Sequence, residues 1–290
     1  MKTNKIGKVS FSAAKRNLLN SLILAALVVP GMAMAEDMET TRHKEGQHVI
    51  PESAHTVSAN VAFVTDYLFR GISQTGTKPA IQGGMDYAHE SGLYAGAWGS
   101  NISWLSDYGT AANASFELDT YIGFGSSITE DVSYDVGVLR YNYPGEYGTN
   151  TKADTNEVYG SIGWKWLTAK YSYSLGDTFG ISEAKGTSYI EVGASYELPD
   201  TGINIGVHYG KQTYKGATAD ALAADITTTP GVSQDPSFSD YNLSVSKEFS
   251  GFELGLTYSK TDAKSGGWYS DPQGNDLGKG KAVLSVSRSM

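Results

Sequence analysis

The chain has 290 residues, 40% of them hydrophobic, 11% aromatic and 18% charged, with 34 glycines, 19 tyrosines and no cysteine. This excludes a disulfide scaffold, a thiolate-ligated metal centre, a cysteine nucleophile and a bundle of transmembrane helices, which needs several apolar runs of about 20 residues. A formal net charge of −9 has the wrong sign for a nucleic-acid partner, which calls for a basic face.

Residues 1–35 read as a secretory signal peptide. Lys2, Lys5, Lys8, Lys15 and Arg16 form a basic start, Leu22 to Val29 is a short apolar run, and Pro30-Gly31 precedes Ala33-Met34-Ala35. The run is too short to anchor a helix across a bilayer. Cleavage before Glu36 removes five cations, which takes the net charge from −9 to −14. Residues 36–55 are polar and without period, a flexible periplasmic segment whose His43, His48 and His55 are expected to be solvated rather than metal ligands.

From residue 56 to 290 the dominant pattern is period two, the alternation of strands whose faces meet different surroundings. In Val57 to Arg70 one face carries Val57, Ala59, Val61, Phe63, Tyr67 and Phe69, and the other Ser58, Asn60, Ala62, Asp66 and Arg70. Next come Ile81–Tyr87 and Leu93–Ile102, whose glycines blur the faces, then residues 116–124 and Val132–Tyr141. Val158–Trp164, 167–175, 190–198, Ile203–Tyr209, Tyr241–Phe249, 252–258 and Ala282–Met290 complete about twelve strands, each long enough to cross a bilayer at a tilt.

Tight links at Ala88–Gly92, Ser126–Glu130, Lys165–Trp166, Pro199–Gly202 and Ser250–Gly251 alternate with long polar ones. The long links are Gly71–Lys78, Ser103–Asn113, Pro144–Thr155, Asp177–Ser188, Gly210–Ser239 and Lys260–Lys281. Strict alternation places every long loop on one side and both ends on the other. That is the plan of an all-β, up-and-down antiparallel transmembrane β-barrel with short periplasmic turns and long extracellular loops. The aromatics agree: on the apolar parity Phe124, Trp166, Tyr196, Phe249 and Phe252 fall beside the short turns, and Phe69, Phe116, Tyr209, Tyr241 and Tyr258 beside the long loops. These are the two girdles expected at the interfaces of an outer membrane.

The stretch Tyr67-Leu68-Phe69-Arg70-Gly71-Ile72-Ser73-Gln74-Thr75, with Pro79-Ala80-Ile81-Gln82-Gly83-Gly84 and Ser91-Gly92-Leu93-Tyr94-Ala95-Gly96-Ala97-Trp98-Gly99-Ser100-Asn101 after it, resembles the opening signature of the TorF-family porins. This is a group of proteobacterial outer-membrane proteins also labelled Gcw_chp. The resemblance implies an outer-membrane barrel with a transport role and supplies no catalytic or ligand residues. Such barrels commonly end in Phe or Trp, read by the assembly machinery, whereas this chain ends in Met290, apolar and on the outward parity.

The other parity then lines the lumen. It carries Asp66, Asp86, Glu117, Asp119, Asp135, Glu157 and Glu191 against Arg70, Lys165 and Lys170. An acidic excess in a narrow channel enriches cations, so the expected function is passive diffusion of small hydrophilic solutes through a mildly cation-preferring pore. The alternative is a plugged structural or partner-binding barrel, its charges consumed in ion pairs such as Arg70 with Asp66 or Glu117. An outer-membrane lipid hydrolase is the third reading, with His208 the one strand histidine on the lumenal parity, but Gly-x-Ser-x-Gly is missing. Asp271 to Asp276 and Asp154 to Glu157 space carboxylates closely without the pattern of a calcium loop. No cofactor, metal or catalytic residue is expected. The partners are outer-membrane lipid, small hydrophilic solutes and, during biogenesis, the barrel-assembly machinery.

Overall fold

The computed structural model describes residues 54–225, 232 and 234–290. The expected signal peptide, and the expected periplasmic segment up to residue 53 with His43 and His48, lie outside the described residues.

Among the described residues, fourteen strands and two short helices follow in chain order. They are β1 (His55–Val64), β2 (Leu68–Phe69), β3 (Ile72–Ser73), β4 (Ala80–His89), β5 (Leu93–Asn101), α1 (Trp104–Asp107), β6 (Phe116–Ser127) and β7 (Val132–Asn142). Then come β8 (Thr155–Trp164), β9 (Leu167–Ser174), β10 (Ser188–Leu198), β11 (Ile203–Thr213), α2 (Ala217–Ala224), β12 (Phe238–Phe249), β13 (Phe252–Thr261) and β14 (Lys281–Ser289). All but β2 and β3 form one closed barrel in the order β1-β14-β13-β12-β11-β10-β9-β8-β7-β6-β5-β4, every pair antiparallel.

Closure depends on β1, which pairs with β4 on one side (Ser58 opposite Asp86) and with β14 on the other (Val61 opposite Arg288). No strand edge is left to solvent or lipid, so every barrel strand satisfies its backbone within the sheet, the condition for crossing a bilayer. The twelve barrel strands match the number read from the alternation. Gly83 explains why β4 reads poorly as sequence: a side chain there would come within 2.8 Å of the Asn60 carbonyl on β1.

Because side chains alternate, each strand gives one parity to the exterior. Leu243, Ile190 and Leu284 expose 55%, 52% and 57% of their surface, whereas the inward Tyr189 and Gln212 expose 2% and 1%. An apolar outside around a polar inside is the inverse of a water-soluble protein. It is the arrangement of a protein solvated by lipid, and with a closed antiparallel barrel it places the chain in the bacterial outer membrane. Phe116, Tyr209, Tyr241 and Tyr258 project outward beside the long loops, and Trp166, Tyr196, Phe249 and Phe252 beside the short turns.

The short turns are tight. Ser250 and Gly251, both at positive φ (54° and 78°), form a two-residue link between β12 and β13 whose twist matches the strands it joins. All long connections lie on the opposite rim, and the described chain ends lie with the short turns, where the Ala59 amide donates to the Met290 carbonyl at 3.0 Å.

One element departs from expectation. The first strand ends at Val64, not Arg70, and residues 65–79 turn into the barrel. Asp66 draws the chain inward: its Oδ1 accepts from Ser73 Oγ (2.6 Å) and Thr75 Oγ1 (3.0 Å), and its Oδ2 from Lys281 Nζ on β14 (3.3 Å). Alternation persists in the sequence because the inserted segment has its own two faces. Phe69 is therefore not a girdle residue: it packs inside, edge-on to Tyr141 and Phe179 at centroid distances of 5.5 and 5.4 Å.

Candidate functional site

The inserted segment is a miniature hairpin. β2 pairs with β3, Leu68 opposite Ser73 and Phe69 opposite Ile72, leaving Arg70 and Gly71 as a two-residue link at φ 48° and 78°. Positive φ at both positions defines a type I′ turn, which favours Asn-Gly or Asp-Gly. Gly71 meets that demand and is held against the far wall, where a side chain would lie 2.6 Å from Thr261 Cγ2 and 2.9 Å from Asp240 Cβ. Arg70 is a poor choice for the turn, so its presence is explained by its head group.

Arg70 is 7% exposed and its guanidinium lies inside the barrel. Its Nη1 and Nη2 donate to Glu157 Oε1 and Oε2 of β8 at 3.2 and 2.8 Å, a bidentate pair, and Nη1 donates also to Gln212 Oε1 of β11 at 2.5 Å. Ring faces surround it, with the carbon at its centre 4.2 Å from the Tyr189 centroid, 4.8 Å from Phe69 and 5.8 Å from Phe179. The partner of Arg70 is thus Glu157, in place of the Asp66 or Glu117 anticipated from sequence.

The rest of the hairpin is fastened to the extracellular rim. Ser73 N donates to the Leu277 carbonyl (3.1 Å) and Ser103 N to the Gln74 carbonyl (2.9 Å). Tyr67 packs edge-on to Trp98 at 5.5 Å, and Ile72 joins Phe238 and Leu277 in a small apolar cluster. A larger cluster joins Tyr67 and Trp98 to Leu105, Tyr121, Leu139, Tyr141, Tyr143 and Tyr147, so aromatic and apolar side chains crowd the lumen around the hairpin. Glu117 and Asp119 are sealed in it at 0% and 1% exposure. Tyr143 Oη donates to Glu117 Oε1 at 2.9 Å, while Glu117 Oε2 and Asp119 Oδ1 have no hydrogen-bond partner among the described residues.

The inserted segment, residues 67–75, is the motif that sets this sequence apart from a generic barrel. A model of the Gcw_chp family, described as a bacterial protein of unknown function, matches residues 48–290. The chain belongs to the Gcw_chp family. No curated protein matches it. Among solved structures it is similar to a KdgM porin, at 7% identity and a TM-score of 0.46 over 80% of this chain and 99% of that one. It is also similar to OprD of Pseudomonas aeruginosa, at 13% identity and a TM-score of 0.37 over 82% and 67% of the two chains. OccAB4 of Acinetobacter baumannii gives 12% identity and a TM-score of 0.39 over 79% and 56%.

The inner half of the Gcw_chp barrel differs from the outer. Asp86, Asp135, Lys170 and Glu191 point inward and are less fully buried than Glu117 and Asp119. Lys170 stands opposite Glu191 in the β9–β10 pair, its ammonium 4.5 Å over the Tyr159 ring. Tyr94 and Tyr159 share a hydrogen bond of 2.5 Å, and Tyr121 Oη donates to Asp86 Oδ1. These rings lie flat on the wall because glycines sit beneath them: Gly123 under Tyr94, Gly137 under Tyr159, Gly96 under Tyr121 and Gly210 under Tyr189.

Of the lumenal charges expected from sequence, the structure brings Asp66, Arg70, Asp86, Glu117, Asp119, Asp135, Glu157, Lys170 and Glu191 inside. Lys165 is the exception: it occupies the β8–β9 turn at φ 53°, about half exposed, 3.6 Å from Asp131 Oδ2. Its position at the end of a strand, where the turn bends the backbone, removes it from the lumenal parity.

Tyr189, Gln212, Asp240, Lys281 and Phe179 were missed. Tyr189, Asp240 and Lys281 each fall one residue before the strand read from the sequence, and Gln212 three residues after one. Phe179 belongs to a loop and has no periodic signal. His208 faces the interior, its Nε2 3.0 Å from both Asp240 Oδ1 and Tyr189 Oη and its Nδ1 3.7 Å from Glu191, away from the lipid that a membrane hydrolase would need to reach.

In the last long loop, Asp271 is engaged by its own backbone. Its Oδ1 accepts from Gln273 N (3.0 Å) and Asn275 N (2.7 Å), and its Oδ2 from Asn275 Nδ2 (2.7 Å). These donors, the Asn275 amide foremost, hold its carboxyl below the ordinary carboxylate range. No group of three metal-ligating side chains occurs among the described residues.

Proposed function

We propose that this barrel is a channel for passive diffusion of small hydrophilic solutes, with a mildly cation-preferring lumen, and that the Arg70 hairpin occludes it in the state seen here. The observation that carries the reading is the contrast between the two halves of the lumen. The half toward the short turns is polar, with Asp86, Asp135 and Glu191 against Lys170, whereas the other half holds the inserted hairpin packed among side chains of α1, the loops and the wall. A barrel built only as scaffold has no need for an acidic inner lumen ending at such a hairpin.

Acidic groups on low-dielectric walls raise the local concentration of cations and repel anions. Arg70 and Lys281 are each bound to a carboxylate, Glu157 and Asp66, so neither offsets the excess further along the lumen. Reversal potentials of the protein in planar bilayers under a potassium chloride gradient test the reading. A potential of the sign of potassium permeation is expected, and one of the sign of chloride permeation overturns the preference.

The packed outer half favours a second reading, a permanently closed barrel whose loops bind a partner. Removing the guanidinium that ties the hairpin to β8 and β11 separates the two. A channel then gains conductance, and a permanently closed barrel does not.

A further inference from the structure

We propose that the cradle around Arg70 is a guanidinium-binding site, occupied in this state by the chain's own side chain, and that free guanidinium-bearing solutes compete for it. The proposal rests on the channel reading for its consequence, admission of such solutes, but not for the binding itself.

Three observations lead there. The first is chemical completeness: a planar cation is met by a two-oxygen acceptor in its own plane and by aromatic faces above it. Glu157 supplies the acceptor, Gln212 Oε1 adds a third oxygen, and Tyr189 lies 4.2 Å beneath. This fork-and-stack geometry suits guanidinium and not a compact ammonium, which has no plane to stack and no fixed pair of parallel donors.

The second is where the parts come from. Glu157, Tyr189 and Gln212 belong to barrel strands β8, β10 and β11, and Phe179 to the loop after β9. Tyr141 on β7 directs its hydroxyl to Glu157 Oε2 at 3.4 Å and packs on Phe179 at 5.2 Å. Only Arg70 and Phe69 arrive on the hairpin. The wall of the site is therefore in place whether or not the hairpin occupies it.

The third is the backbone. Arg70 at φ 48° takes a turn position that suits Asn, Asp or Gly, and Phe179 reaches the site at φ 49°, its amide held by Thr155 Oγ1 at 2.8 Å. Non-glycine residues in the left-handed region carry strain, and two of them converge on one group. Gln212 Nε2 adds a buried donor without a partner among the described residues, beside the guanidinium, where a solute bearing an acceptor next to its guanidinium would supply one.

The solute class follows: small molecules with a guanidinium head, ahead of primary ammonium compounds of equal charge. A short tether gives Arg70 an effective concentration in about the millimolar range, so competition by a free solute requires comparable amounts.

Arg70→Asn is the informative variant, because Asn-Gly is the preferred pair for a type I′ turn. It empties the cradle while keeping the hairpin's turn. In planar bilayers the current of this variant should be interrupted by millimolar methylguanidinium and not by methylammonium, and Glu157→Gln in the same background should weaken that block about tenfold. If R70N conducts and the two cations act alike, the guanidinium site is refuted while the channel reading stands.

If R70N is folded but silent, the channel reading fails, and the site is judged by thermal unfolding of the variant in detergent micelles. A midpoint raised by methylguanidinium and not by methylammonium supports the cradle, and equal midpoints refute it. Arg70→Ala serves for the same comparisons should Asn prevent folding.

Discussion

Arg70 and Glu157, 87 residues apart in the chain, meet inside the barrel with Nη2 2.8 Å from Oε2. The pair joins the tip of an inserted hairpin to the wall strand β8, and both side chains are withdrawn from water. Charges withdrawn in this way need each other: removing one partner of a buried pair costs about 3–5 kcal/mol because the other is left uncompensated. The hairpin's position and the state of Glu157 are thereby linked. Glu157→Gln is expected to loosen the hairpin, giving larger and noisier single-channel currents than the parent protein.

Gly71 makes the same point sterically. It holds φ 78°, and a methyl group there would lie 2.6 Å from Thr261 Cγ2 and 2.9 Å from Asp240 Cβ. Gly71→Ala cannot be accommodated without moving the tip away from β12 and β13. The expected result is a folded barrel, recognisable by its heat-modifiable gel mobility, with conductance above that of the parent. An unchanged current would show that the tip does not set the constriction.

The glycines under the lumenal tyrosines are packing sites rather than flexible points. A side chain at Gly123 would lie 2.8 Å from the Val136 carbonyl and against the phenol end of Tyr94, and would break the Tyr94–Tyr159 contact. Overpacking of this kind costs about 1–3 kcal/mol. Gly123→Ala should lower the denaturant midpoint of the barrel in liposomes accordingly, whereas Gly148→Ala in a loop, φ 57° with nothing within 4 Å, should respond only to its backbone strain.

The two faces of one strand predict opposite tolerances. Leu243 and Ser244 are neighbours near the middle of β12, one outward and 55% exposed, the other inward. Leu243→Arg places a charge in the hydrocarbon and is expected to destabilise the barrel by about 2–4 kcal/mol. Ser244→Arg adds a cation to the lumen instead, and should leave folding nearly intact while shifting the reversal potential away from cations.

Asp271 gives a pH dependence with a definite sign. Its carboxyl is depressed by donors from Asn275 and Gln273, so the folded loop favours the charged form. The contribution to loop order is fully present above the unfolded carboxylate value of about 3.9. It is lost as the pH falls through the lower folded value. Amide exchange at Gln273 and Asn275 should accelerate only below that range, and acceleration near neutral pH would contradict the assignment.

Most of the barrel was legible in the sequence because lipid outside and water inside impose opposite demands on successive residues. Val57 to Phe63, the alternation in β6 and β10 and the sorted loop lengths all follow from that. The hairpin was not legible for the same reason. Tyr67, Phe69 and Arg70 continue the alternation of β1, and nothing local distinguishes a face meeting lipid from one meeting the packed lumen. The deciding interactions, Asp66 with Lys281 and Arg70 with Glu157, are 215 and 87 residues apart. Lys165 misled by the converse route: it extends an alternating run in the sequence, but the tight link turns it off the lumenal face.

The measurement that bears most directly on the account is the single-channel conductance of the parent protein and of Arg70→Asn, side by side in planar bilayers under a potassium chloride gradient. The account predicts small or rare openings for the parent, a clearly larger conductance for the variant, and a reversal potential of potassium sign in both. A variant that is folded and inserted yet as silent as the parent, or a potential of chloride sign, would contradict it.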